Sequence, residues 1–130
     1  MHNYCLHDAQ ANRIKVFNDG LLIEFDHGVY NVDKNGKEIN LTDKCKLHIS
    51  IKGFNSGQSY QHIQIYKCNN TQRVEIELEE FIRLLEKSSY DIDNAYWSSF
   101  NNCLLLIGYI EKYNVELFIG DIQKISYDFL

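Results

Sequence analysis

At 130 residues, with 45% apolar and 13% aromatic content, the chain has the size and composition of one domain with a proper core, which excludes a disordered polymer. A net charge of −5 weighs against the basic surfaces that bind nucleic acid. The longest uninterrupted apolar run, residues 103–107, is too short to span a bilayer, so no membrane partner is expected.

The first residues lack the basic and apolar regions of a secretory signal, and the four cysteines (Cys5, Cys45, Cys68, Cys103) lie far apart. Free thiols and a cytoplasmic location are the expectation. His2, Cys5, His7 and Asp8 are all of zinc-ligand type, and Cys5 and His7 share a face if the segment is extended. Their spacing matches no structural zinc signature, and a turn capped by the Asp8 side chain is the plainer reading. No metal and no cofactor are expected.

Ile14 and Val16 alternate with Arg13, Lys15 and Phe17 as a first strand, and Asn18-Asp19-Gly20 supplies a hairpin turn into a second over residues 21–26. A bend at His27-Gly28 leads to an extended stretch over 28–33, then a hairpin at Asn35-Gly36 and a strand over 38–41. Two hairpins so close together predict a meander. Residues 44–52 alternate most cleanly, with Cys45, Leu47, Ile49 and Ile51 facing one way and Lys46, His48, Ser50 and Lys52 the other. Residues 53–60 read as a loop, followed by short strands over 62–66 and 73–76.

The period then changes. Leu78, Phe81, Ile82 and Leu85 form an i, i+3, i+4, i+7 stripe, which predicts an amphipathic helix over 78–87. Glu77, Glu79 and Glu80 crowd its start, where carboxylates complement the helix dipole. Residues 91–100 fit either a short helix or an extended turn. Three closing strands are expected over 103–112, 115–119 and 122–129, with hairpin breaks at Tyr113-Asn114 and Gly120-Asp121. The fold class is α+β and mainly antiparallel β: a strongly bent sheet or half-barrel of about eight strands with one packed helix, in a single domain over 1–130.

No phosphate loop, catalytic triad or metal signature stands out, so the expectation is a protein that is not an enzyme. Lys34, Lys37, Lys44, Lys46 and Lys52 are offset by Asp33, Glu38 and Asp43, and read as solvated surface rather than a nucleic-acid face. Residues 75–93 carry seven acids against Arg83 and Lys87, a net −5 that equals the charge of the whole chain. The residues expected to meet a basic protein partner are Glu77, Glu79, Glu80, Glu86, Tyr90, Asp91 and Asp93, with carboxylates steering the encounter and aromatics anchoring it.

Two stretches carry a resemblance. Leu6-His7-Asp8-Ala9 followed by Ile14, Val16 and Leu22-Ile23-Glu24-Phe25 is one. The other is Glu79-Glu80-Phe81-Ile82-Arg83-Leu84-Leu85, then Tyr90-Asp91-Ile92, closing with Leu106-Ile107-Gly108-Tyr109 and Ile125-Ser126-Tyr127. Together they resemble small bacterial immunity proteins, which neutralise polymorphic or contact-dependent toxins. The resemblance implies stoichiometric occlusion of a toxin domain, usually a nuclease, without catalytic residues. The alternative is a small β-barrel-like protein holding an aromatic or apolar ligand, for which the nine Tyr and seven Phe residues would line the pocket. An enzyme using Cys5 or His7, with His48 and His62 as alternative bases for the thiol, is the third reading.

Overall fold

Three antiparallel sheets and one helix make up the computed structural model, which describes residues 4–54 and 62–129. The first sheet has the order β1-β5-β6, from β1 (Tyr4–Cys5), β5 (Tyr30–Val32) and β6 (Glu38–Leu41). The second, with six strands, runs β2 (Gln10–Ala11), β10 (Tyr90–Ser98), β11 (Cys103–Ile110), β12 (Tyr113–Ile119), β8 (Ile63–Cys68), β9 (Arg73–Ile76). The third, with four, runs β13 (Ile122–Phe129), β7 (Cys45–Ile51), β4 (Gly20–Phe25), β3 (Arg13–Phe17). Helix α1 spans Leu78–Leu85. The mainly antiparallel β class with one helix holds, but the strongly bent sheet or half-barrel of about eight strands is corrected to thirteen strands in three sheets among the described residues, the two early hairpins going to different sheets.

Local sequence explains most of the turns. The β3–β4 hairpin closes over Asn18-Asp19, with Phe17 opposite Gly20. A Cβ on Gly20 would sit 1.9 Å from the Ile49 carbonyl oxygen of β7, so only glycine lets these strands approach. The β5–β6 turn is held by the Asp33 carboxylate, which accepts from the amides of Asn35 and Lys37 at 2.8 and 2.9 Å. Between β11 and β12 the turn falls at Glu111-Lys112, two residues earlier than expected, and Glu111 takes φ +55. At Gly120-Asp121 the chain does not form a hairpin. It turns a corner from β12 in one sheet to β13 in another.

That corner is tied down on both sides. Gly120 N–H donates to the His62 carbonyl at 2.8 Å, Lys52 N–H to the Asp121 carbonyl at 2.8 Å, and the His62 ring meets the Asp121 carboxylate at 2.6 Å.

One core fills the space between the sheets. Leu21, Ile23 and Phe25 of β4 and Cys45, Leu47, Ile49 and Ile51 of β7 bury one face of the four-stranded sheet. Leu104, Leu106, Val115, Leu117, Ile119, Ile63 and Ile65 bury the inner face of the six-stranded sheet, in the same cluster. Helix α1 adds Leu78, Phe81 and Leu85 to it, as its stripe requires. Phe81 meets the ring of Tyr90 edge-on, with centroids 5.2 Å apart.

Residues 91–100 are extended rather than helical, and turn only at 99–100. They belong mostly to β10, which pairs with β11 along its length and carries a β-bulge between Ile92 and Asn94. No helix among the described residues is long and apolar enough to cross a membrane.

Candidate interaction surfaces

The acids of residues 75–93 divide among three places: Glu75 on β9, four at α1 and two on β10. Glu77 caps the start of α1 through its backbone, its carbonyl accepting from the amides of Glu80 and Phe81 at 3.1 and 3.2 Å. Glu79 projects into solvent on the first turn, and Glu86 is exposed at the last. Glu80 is half-buried and lies 3.4 Å from the Lys67 ammonium. Asp91 and Asp93 instead lie on β10, separated from β9 by β11, β12 and β8. Asp91 accepts from the Ser89 hydroxyl at 3.0 Å, and Asp93 is exposed at the bulge.

Tyr90 was expected among the contact residues and cannot be one. It is 0% exposed, and its hydroxyl donates to the Val115 carbonyl at 2.7 Å. Burial, then the Asp93 and Glu116 charges, push its phenol well above the ordinary range. Its periodicity places it with Ile92 on the inner face, beside the helix.

The N-terminal cluster is occupied in other ways, and His2 lies outside the described residues. The His7 ring nitrogen Nε2 meets the Ala95 carbonyl at 3.0 Å, and His7 N–H donates to Cys5 Sγ at 3.4 Å. The turn is made by the backbone, not by the Asp8 side chain: Asp8 takes φ +65 and its N–H donates to the Ile92 carbonyl at 2.7 Å. Burial holds the Cys5 thiol above its ordinary pKa, against the activation a nucleophile needs. Cys45 is fully buried and pushed up to about 11, whereas Cys103 is only half-buried, on the outer side of β11. Among the described residues no three His, Cys, Asp or Glu side chains gather as a metal site.

One hollow of about 410 Å³ lies between the three-stranded sheet and β13, lined by Tyr4, Asn31, Asn40, Thr42, Asp43 and Phe129 among others. Its polar, exposed rim differs from the apolar pocket that the ligand-binding alternative calls for. Lys46 of β7 lies 3.9 Å from Glu24, and Lys44, just before that strand, 3.8 Å from Asp26.

The outer face of the six-stranded sheet was missed by the sequence reading. Cross-strand partners share a face, so the register defines its rows. The first is Tyr96, Leu105, Phe118 and Gln64; the second is Asn94, Ile107, Glu116, Tyr66 and Glu75. The third is Asp91, Tyr109, Asn114, Cys68 and Arg73. Arg73 donates through Nη2 and Nε to Glu116 Oε1 at 2.9 and 3.3 Å, and its guanidinium stacks 3.6 Å over the Tyr66 ring. The signal was present in β11, where Cys103-Leu104-Leu105-Leu106-Ile107 is apolar at successive positions, hence on both faces.

No protein-family model matches the chain. Searches of curated proteins and of solved structures likewise give no match. The six-stranded sheet carries a carboxylate-rich helix on one side and an aromatic face on the other.

Proposed function

We propose that the chain is a non-catalytic immunity-type protein that neutralises a toxin domain, a nuclease being the expected class, by binding and occluding it. The observation that carries the reading is that six of the seven acids between residues 75 and 93 are exposed, with only Glu80 half-buried. A nuclease cleft is basic because it holds phosphate, and a carboxylate-bearing helix is a complementary plug. The resemblance to immunity proteins supports the same reading. Asp91 and Asp93 sit away from the helix, so Glu77, Glu79, Glu80 and Glu86 are the principal contact group.

The test is binding to the toxin-like product of a neighbouring reading frame, measured by stopped-flow at several salt concentrations. Replacing Glu77, Glu79 and Glu86 together by Lys should slow association by about 10-fold or more at low salt and flatten its salt dependence. Unchanged kinetics would remove the helix from the interface, and no binding to any toxin domain would remove the function.

A further inference from the structure

The outer face of the six-stranded sheet is unusual for a surface open to water. Tyr66, Tyr96, Leu105, Ile107, Tyr109 and Phe118 all project from it, and none belongs to the layer that packs against the core. Tyr96 is 54% and Tyr109 45% exposed. We infer that a second copy of this chain covers the face, the two six-stranded sheets stacking across a two-fold axis that runs along β12.

The arrangement of charge selects that occupant. Arg73 on β9 and Asp91 on β10 lie in one row, on the two strands that flank β12 at equal distance. A two-fold axis along β12 reverses strand order and keeps the row. Asp91 of each copy then falls on Arg73 of the other. The same operation sets Ile107 against Tyr66 and Phe118 against its own equivalent, apolar on apolar. This self-complementarity is what an isologous contact requires.

Arg73 spends Nε and Nη2 on Glu116 of its own chain, which leaves Nη1 for the incoming carboxylate. The Glu116 carboxylates approach each other near the axis, each partly neutralised by its own Arg73. Stacked sheets lie about 10 Å apart with strand directions within about 30° of each other. Two strands from the axis, roughly 10 Å out at about 4.8 Å per strand, even that full angle would shift facing positions by only about 5 Å. A long Arg side chain spans such an offset.

The area is adequate for a weak dimer. Seven residues of β12, six of β8 and four of β9 limit the overlap of facing strands, which at about 4.8 Å between strands and about 3.3 Å per residue gives about 430 Å² per copy in projection. Side-chain relief raises this toward the roughly 600 Å² per partner at the lower end of stable interfaces. Helix α1 packs on the inner side of the sheet, so its acids stay exposed in the dimer, and the inference does not depend on the proposed function.

Sedimentation equilibrium of the full chain decides it. The mass should rise from 15.3 kDa toward twice that between about 1 and 300 µM. Ile107→Glu should weaken association by about 10-fold or more. So should the pair Tyr96→Ser and Tyr109→Arg, whose exposed positions make folding safe. Asp91→Arg and Arg73→Glu should each weaken self-association, because each homodimer would hold two like-charge contacts. Mixed in equal amounts they should associate, because the heterodimer restores both opposite-charge pairs. Circular dichroism and melting curves verify folding of every variant. A wild-type mass fixed at 15.3 kDa at about 300 µM overturns the inference. A dimer indifferent to these substitutions, or a monomer whose sheet face binds only a foreign basic protein, does so too. Replacing the helix glutamates should leave the mass unchanged, which separates this result from the toxin-binding test.

Discussion

Glu24 is the buried charged residue of the four-stranded sheet, at 5% exposure, and it is covered by cations rather than by core. Arg13 Nε donates to its Oε1 at 2.9 Å, and the ammonium groups of Lys15 and Lys46 lie at 3.5 and 3.9 Å. Arg13 also bonds Asp26, so the guanidinium is held by two carboxylates. Burial by itself would raise the Glu24 carboxyl. The Arg13 hydrogen bond and the Lys15 and Arg13 charges outweigh it and hold the group below its ordinary 4.5. The folded state therefore favours the ionised form. Its contribution is complete above pH 4.5 and is lost as pH falls through the lower folded value. Glu24→Gln should cost about 1–2 kcal/mol at neutral pH, since three cations lose the negative charge they share. In urea titrations run at successive pH values, the wild type should lose stability more steeply below pH 4.5 than this variant. Parallel curves would mean the carboxylate contributes nothing through its charge.

Among the elements, those whose signal is local were legible in the sequence. The stripe Leu78, Phe81, Leu85 gave α1, the alternation from Cys45 to Ile51 gave β7, and Asp19-Gly20 and Asn35-Gly36 gave their hairpins. The long strand β10 was not legible, and the bulge explains why. Ile92 faces inward before it and Ala95 and Trp97 after it, so the apolar spacing runs three, then two, which imitates a helix before it reads as a strand. The inward turn of Tyr90 and the separation of Asp91 from the helix acids follow from that strand, so part of the candidate site was hidden with it. Sheet membership was also out of reach, because a Gly-Asp corner and a Gly-Asp hairpin look alike in one dimension. Gly108 sits opposite the bulge, and a Cβ there would lie 2.1 Å from the Asp91 carbonyl oxygen. Gly108→Ala must push β10 off β11, at a cost of about 2–3 kcal/mol or more. Gly36→Ala, at φ +80 in open space, should cost only about 1 kcal/mol. Equilibrium denaturation of the two variants side by side measures the difference. Equal midpoints would mean that the β10–β11 contact is slack.

At the scale of the molecule, the two larger sheets share one cluster of buried residues, against which the three-stranded sheet packs through Tyr4, and this decides how it should come apart. Leu6, Ala9 and Ala11 from the N-terminal segment join Phe25 and Leu47 from the four-stranded sheet. Leu104 and Leu117 from the six-stranded sheet and Phe81 from the helix complete the same cluster. Two-residue β2 pairs with β10 while Asn12 N–H reaches across to the Glu24 carbonyl at 2.8 Å, so the chain itself stitches the two larger sheets together. Neither sheet can leave without exposing the inner face of the other, at roughly 25 cal/mol for each Å² of apolar surface. A chain of 130 residues built this way should unfold in one step. The sole tryptophan, Trp97, lies on the inner side of β10 against the core, and reports the six-stranded sheet. Far-UV circular dichroism reports all three sheets together. The two signals should trace coincident urea transitions with one midpoint and one slope. A Trp97 transition that precedes the loss of ellipticity would show that the six-stranded sheet opens on its own, and that the shared core does not bind the sheets into one unit.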